Sequence, residues 1–263
     1  MSKKQRLDQA MVERDICESI DKAKAMIMAG DVLVNDQKET TAGRQVIASD
    51  RIELKSKPRF VSRGGEKMDG ALEAFGIDVS GMVAADFGAS TGGFTDCLLQ
   101  RGVEKVYAID VGYGILDQRV RTNERVVVME RTNARNVEDL PEPIDLVVID
   151  VSFISLNLMF PAVKNVLAPN GICVPLIKPQ FEAGPENVGE RGVVRDPAVH
   201  AMVLHKVLGF ARDHGFSTRG LIASPLKGPN GNIEFLAHLT LGIDESQDDD
   251  ALVASAMDQA NRL

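Results

Sequence analysis

The sequence predicts a doubly wound α/β domain of seven strands behind a small α+β unit. Seven apolar runs of strand length alternate with helical spacing from Met82 onward, and several close on a charged residue. A glycine-rich turn follows the first of these runs, at the place where such sheets bind ligands. The front sixty residues show a different pattern and a different charge. Residues 1 to 67 carry 14 Lys+Arg against 11 Asp+Glu, whereas the remaining 196 carry 16 against 27. The overall charge of −8 therefore does not exclude a polyanionic partner for the front part.

From Arg6 to Met28, apolar positions recur at helical spacing, and a break at Asp15 to Glu18 with a cap-type Ser19 divides them into two helices. After Gly30, the runs Val32 to Asn35, Gln45 to Ile47 and Arg51 to Leu54 read as short strands, with a polar turn after the first. The stretch KSKPRF, Lys55 to Phe60, forms the junction, since Pro58 stops a strand and biases Lys57 toward extended backbone. The expected division is residues 1–57, a linker at 58–61, the α/β domain at 62–243 and an acidic tail at 244–263. The tail carries six acids and one arginine and reads as a solvated, frayed end.

The first strand of the large domain, Met82 to Phe87, includes Asp86 and runs into Gly88-Ala89-Ser90-Thr91-Gly92-Gly93-Phe94 and a helix to Gln100. A glycine-rich turn at a helix N-terminus lets backbone approach a ligand closely. Ser90 stands where a dinucleotide fingerprint needs its second glycine, which favours a methyl donor over NAD. The second strand, Lys105 to Ile109, ends at Asp110, suited to both hydroxyls of an adenosine ribose; NAD sites share that spacing. Val126 to Met129 follows, then RTNARN, where Asn133 and Ala134 are candidates beside adenine. Ile144 to Ile149 ends at Asp150, and Ile172 to Ile177 ends at Lys178. Thr218 to Ala223 and Ile233 to Leu241 complete the sheet, with helices at Leu158 to Leu167 and Val199 to Asp213 between strands. The glycine-rich stretch Glu182 to Asp196 reads as a substrate lid or a mobile connection.

No apolar run reaches membrane-spanning length and no leader pattern opens the chain, so a cytoplasmic protein without a membrane role is expected. Cys17, Cys97 and Cys173 are scattered without metal-ligand spacing and read as core thiols; no metal site is expected.

Two resemblances sharpen this reading. The string RLDQAMVERDICESIDKAKAMIMAGDVLVNDQ, Arg6 to Gln37, resembles the S4-type RNA-binding domain, which implies that Lys22 and Lys24 face RNA phosphates. Asp15 replaces a usual glycine and Ile20 a usual arginine, which shifts weight to Lys3, Lys4 and Arg6. In the large domain, Lys67, Asp150, Lys178 and Glu234 resemble, in order, the Lys-Asp-Lys-Glu tetrad of FtsJ-type ribose 2′-O-methyltransferases. SRGGEK, DFGASTGGF, DVSFISL, LIKPQFE and GNIEF together resemble the TlyA (hemolysin A-like) family of rRNA 2′-O-methyltransferases.

The resemblance implies a Rossmann-like class I fold, S-adenosyl-L-methionine as methyl donor, and cytidine riboses of rRNA or ribosomal subunits as substrate. Asp86, Gly88, Ser90, Gly92, Gly93, Phe94, Asp110 and Asn133 would then hold the donor. Lys4, Arg6, Lys22, Lys24 and Arg63 would hold RNA. Lys178 would accept the hydroxyl proton or stabilise the alkoxide, with Asp150 and Glu234 orienting Lys178 and Lys67 holding the hydroxyl or a phosphate. The rival readings are an RNA-binding or hemolysin-like protein with a vestigial methyltransferase fold, and an NAD(P)-dependent oxidoreductase.

Overall fold

The computed structural model describes residues 4–55, 58–242 and 247–263. Lys3, the junction residue Lys57 and the start of the acidic tail at Asp244, which figure in the expectations above, lie outside the described residues. The chain divides into two units, Met1–Arg59 and Phe60–Leu263.

The first unit consists of β1 (Gln5–Arg6), α1 (Leu7–Glu13), α2 (Ile20–Ala29), β2 (Val32–Val34), β3 (Gln37–Glu39), β4 (Gln45–Val46) and β5 (Ile52–Leu54). β2 lies between β3 and β5, antiparallel to both, and β1 pairs with β4. The Ser19 side chain accepts the Lys22 N–H at 3.3 Å and starts α2, and Gly30 ends it at φ +76°. Asp15 adopts φ +55°, which explains why a glycine suits that turn; Asp is among the residues that tolerate it. The polar turn expected after β2 is instead a hairpin. Asn35 (φ +52°) and Asp36 (φ +65°) form a tight turn, and the polar Gln37–Glu39 pairs back on β2. Leu7, Met11, Ile27, Val32, Val34 and Val46 form the core.

The second unit contains α3 (Arg63–Phe75), β6 (Val83–Phe87), α4 (Gly93–Gln100), β7 (Lys105–Ile109), α5 (Gln118–Arg121), β8 (Val126–Met129), β9 (Ile144–Ile149), α6 (Phe160–Val166), β10 (Leu167–Ile177), α7 (Pro179–Glu182), α8 (Pro197–Asp213), β11 (Phe216–Ala223), β12 (Phe235–Leu241) and α9 (Asp249–Ala260). Its sheet runs β11-β12-β10-β9-β6-β7-β8, parallel from β10 through β8, with β12 antiparallel to β10 and β11. This is the seven-stranded, Rossmann-like α/β sheet expected. Apolar clusters cover both faces, one including residues of α3 and α4, the other residues of α6, α8 and α9. Strand order reverses between β9 and β6, so the crevice for a ligand opens at their carboxyl ends.

Two expectations are corrected. The acidic tail is not frayed throughout: Asp248 caps α9, whose Val253, Ala256 and Ala260 are buried against the domain. A helix with apolar residues every three to four positions finds a partner despite its charge. The stretch Glu182 to Asp196 is also fastened at both ends. Glu182, Val193 and Val194 are buried, and the Asn232 side chain accepts the Val194 N–H at 3.1 Å and donates to the Gly192 carbonyl at 2.9 Å. The cysteines expected in the core are two buried thiols, Cys97 and Cys173, and a half-buried Cys17.

Candidate active site

The glycine-rich turn gets its shape from what lies behind it. Gly88 (φ +88°) passes so close to the Asp150 carbonyl that a Cβ would stand 2.8 Å from its oxygen. A Cβ on Gly93 would fall 2.1 Å from Ser62 Oγ, so the start of α4 packs directly on the capped start of α3. Ser90 has left-handed backbone (φ +50°), and its N–H donates to Asp110 Oδ2 at 2.8 Å while Gly112 N–H donates to Oδ1 at 2.7 Å. Each Asp110 oxygen keeps a lone pair for one further donor.

Asp86 is fully buried. Its Oδ2 accepts the Thr95 N–H at 3.0 Å and the Thr95 hydroxyl at 2.6 Å, while its Oδ1 has no partner among the described residues. Burial pushes its carboxyl up to about 7, with the fields of Asp150 and Asp110 adding to the effect against the Thr95 hydrogen bonds.

A cavity of about 400 Å³ is lined by Gly88, Ser90, Asp110, Asn133, Ala134, Asp150 and Phe153, among others. It adjoins one of about 110 Å³ whose walls include Lys67, Asp86, Gly93 and Phe94. Gly88, Ser90 and Asp150 belong to both. The donor residues expected from the sequence thus share one crevice, with one exception. Gly92 (φ +91°) faces Leu116 and Val120 and shapes the turn without lining either cavity.

The four residues of the tetrad form two lysine–carboxylate pairs, in a pairing different from the one expected. Lys178 Nζ forms an ion pair with Asp150 Oδ1 at 2.6 Å and donates to the Val151 carbonyl at 3.0 Å and to Ser152 Oγ at 3.1 Å. Glu234 does not orient Lys178; its Oε2 holds Lys67 Nζ. The reason lies in the chain path. Lys67 sits in the second turn of α3, whose first residue, Arg63, donates to the Lys227 carbonyl at 2.6 Å, and Gly228 leaves room for the Glu234 carboxylate beneath that loop. Asp150 and Lys67 line the small cavity, and each has its partner behind it.

The cations proposed for RNA are accounted for separately. Arg63 lies at the start of α3, exposed. In the first unit, Arg6 is held in a two-pronged bond to the buried Asp8 (3.0 and 2.6 Å), which keeps the Asp8 carboxyl below its usual range. Lys22 pairs with Glu18 at 3.0 Å and Lys24 with Asp21 at 3.6 Å, in exposed ion pairs that a phosphate can replace at little cost. Lys4 is exposed beside Gln5, Gln9 and Glu13 in a cleft of the same unit.

Sequence reading missed Phe153. It is 89% exposed with left-handed backbone (φ +62°), three residues after Asp150, and its ring lies 4.8 Å from that of Phe181. An aromatic residue three positions after a strand-end carboxylate was the available signal. Among the described residues no helix is long and apolar enough to cross a membrane, and no cluster of metal-ligating side chains is present.

Comparison with known proteins agrees with this architecture. A family model described as FtsJ-like methyltransferase matches residues 60–241, and an S4 domain model matches residues 5–61. A relative from Mycobacterium tuberculosis, named 16S/23S rRNA (cytidine-2′-O)-methyltransferase TlyA, is 42% identical over 99% of this chain and 97% of its own. Hemolysin A of Brachyspira hyodysenteriae is 40% identical over 90% of this chain and all of its own. A solved structure of a provisionally named hemolysin from Streptococcus thermophilus superposes with a TM-score of 0.77 at 41% identity, covering all of this chain and 97% of the other. The oxidoreductase alternative is thereby set aside. With an S4 domain ahead of an FtsJ-like methyltransferase domain and relatives of this identity along nearly its whole length, the chain belongs to the TlyA (hemolysin A-like) family.

Proposed function

We propose that this protein transfers a methyl group from S-adenosylmethionine to the 2′-hydroxyl of a ribose, a cytidine ribose of ribosomal RNA, and that it works in the cytoplasm on ribosomal subunits. The observation that carries the reading is the convergence of two lysine–carboxylate pairs, one buried and one half-buried, on the crevice at the glycine-rich turn. The crevice suits the donor: Asp86 Oδ1 lacks a partner for a cationic amino group, Asp110 keeps acceptor capacity for ribose hydroxyls, and Asn133 and Ala134 border the far end. Gly88 provides the bare backbone beneath it and Gly93 the close packing behind. S-adenosylmethionine bound there supplies an activated sulfonium methyl.

A ribose hydroxyl is a weak nucleophile whose proton turns acidic only as its oxygen forms the new bond. Lys178, held by its ion pair with Asp150 and its hydrogen bond to the Val151 carbonyl, acts as a fixed cation; a hydroxyl displacing Ser152 Oγ receives a hydrogen bond from it and is stabilised as charge develops. Asp150, on the cavity wall, fixes that lysine and takes the departing proton. Lys67, steadied by Glu234, holds the hydroxyl or the adjacent phosphate. Phe153 presents a ring on which the base of the target nucleotide can stack. The first unit, through Lys4, Lys22 and Lys24, and Arg63 on the second contact RNA phosphates.

Incubating the protein with tritiated S-adenosylmethionine and ribosomal subunits, then digesting the RNA to nucleosides, tests the reading. Label in 2′-O-methylcytidine is expected, lost by roughly 10²- to 10⁴-fold in Lys178→Ala with donor binding retained. No donor binding by calorimetry would instead favour an RNA-binding or hemolysin-like protein with an inactive methyltransferase fold.

A further inference from the structure

Two segments leave the sheet side by side at the candidate active site and are fastened together twice. One runs from Asp150 at the end of β9 through Val151 to Ser155 and into a short 3₁₀ turn, Leu156–Leu158. The other runs from Lys178 at the end of β10 into α7. The first fastening is Lys178, which reaches Asp150, Val151 and Ser152. The second comes four residues later. Glu182, only 3% exposed, accepts the Ser155 hydroxyl at 2.8 Å and the Leu156 N–H at 2.7 Å, and its own carbonyl accepts Lys206 Nζ at 2.8 Å. Between the two fastenings the chain forms an arch bearing Ser152 and Phe153.

The arch needs both ends. Phe153 is held in a left-handed backbone conformation that is unfavourable for a residue with a Cβ, and such strain persists only where the surroundings enforce it. A buried carboxylate receiving two donors from the same turn is such an enforcement, and burial raises the Glu182 carboxyl above its usual range despite those bonds. Released from Glu182, the turn at Ser155 is free to move away, and Ser152 and Phe153 lose register with Lys178 and Phe181. Gly88, Ser90 and Asp110 have no bond to Glu182.

We propose that Glu182 is a positioning residue for methyl transfer, holding the Asp150–Leu156 arch on Lys178 without itself touching substrate; this rests on the reaction proposed above. The chain contains no tryptophan, so Phe153→Trp places a single fluorescent reporter on the arch. In that background Glu182→Ala is expected to lower the steady-state anisotropy of the indole, while Glu182→Gln, which keeps an acceptor for Leu156 N–H and a polar partner for Ser155, leaves it unchanged. In the otherwise native chain, below the melting transition, Glu182→Ala should lower kcat on the order of 10- to 100-fold and raise KM for RNA, as expected for a displacement of about 1 Å. Donor affinity should stay within about threefold, and Glu182→Gln should restore kcat.

An unchanged anisotropy in Glu182→Ala, or a lower one with native kcat, overturns the proposal, as does a lowered melting temperature that is the sole effect. Absence of methyl transfer by the wild-type chain would overturn the reaction on which it rests. That failure is distinguishable, because the anisotropy is read without substrate.

Discussion

The Lys67–Glu234 pair provides a direct test of how the site is held. The Lys67 side chain is 9% exposed and that of Glu234 not at all, and Glu234 Oε1 has no other partner among the described residues. Replacing Glu234 by Met leaves a buried ammonium without its counter-charge; replacing Lys67 by Met leaves a buried carboxylate with neither oxygen paired. Each single change should cost about 3–5 kcal/mol, since the desolvation already suffered by the remaining ion is no longer offset. For a domain near two hundred residues, that corresponds to a fall in Tm of roughly 6–20 °C. The double variant, Lys67→Met with Glu234→Met, buries no unpaired charge and should melt close to the wild type. It should nevertheless be inactive in methyl transfer, because Lys67 is gone from the cavity wall. Differential scanning calorimetry at two salt concentrations measures all four proteins, and little salt dependence is expected for a pair shielded from solvent. Singles melting within 2 °C of the wild type, or a double variant losing the sum of both, would refute the reasoning.

Three further outcomes follow from charge and domain division. An unfolded Asp ionises near pH 4 and folded Asp86 near 7, so the folded state holds the extra proton in between, and stability from this group falls as pH rises through that window. Asp86→Asn should therefore gain on the wild type between pH 4 and 7 in urea melts. It should also abolish a rise in donor affinity over the same window, as much as roughly tenfold per pH unit in the wild type; a flat wild-type profile counts against the donor contact. His238, beside Phe75 and lowered to about 4 by burial and the nearby Arg219, acts in the opposite direction. Below its unfolded value near 6.5 the unfolded chain takes a proton that the folded one refuses, so stability falls as pH drops toward 4, and His238→Phe should flatten that fall. Deleting residues 1–59 should reduce the slope of log RNA affinity against log salt by about 0.7 for each phosphate that the first unit neutralises, with donor affinity unchanged in calorimetry.

The sheet was legible because the central parallel strands are mostly buried on both faces and read as nearly continuous apolar runs. Lys105–Ile109 and Val126–Met129 have the bounds expected from the sequence. Residues ending those runs, Asp110, Asp150 and Lys178, had to meet at one edge once the strands were parallel. What lay between the runs was harder. α3 contains Gly64, Gly65 and Gly70, which look like helix breakers until Phe60, packed where a Cβ on Gly65 would sit, shows why one of them is small. The partner of Glu234 depended on a helix outside the sheet, so its position in the chain could not choose between two lysines. The hairpin at Gln37–Glu39 rests on backbone pairing with little apolar content, which leaves no periodicity to read.

The end of the chain bears on how the protein should be handled. The family match stops at residue 241, and the acidic stretch after it looks expendable. β11 is the outermost strand of the sheet, and it is the tail that covers its open side: Gln247 N–H donates to the Thr218 carbonyl at 2.9 Å, and Gln259 Oε1 accepts the Ala223 N–H at 3.1 Å. Trimming the gene at the apparent domain limit would strip an edge strand of those partners and uncover the apolar seat of Val253 and Ala256, inviting strand-to-strand association between copies. Expression plasmids should therefore keep the helix Asp249–Ala260.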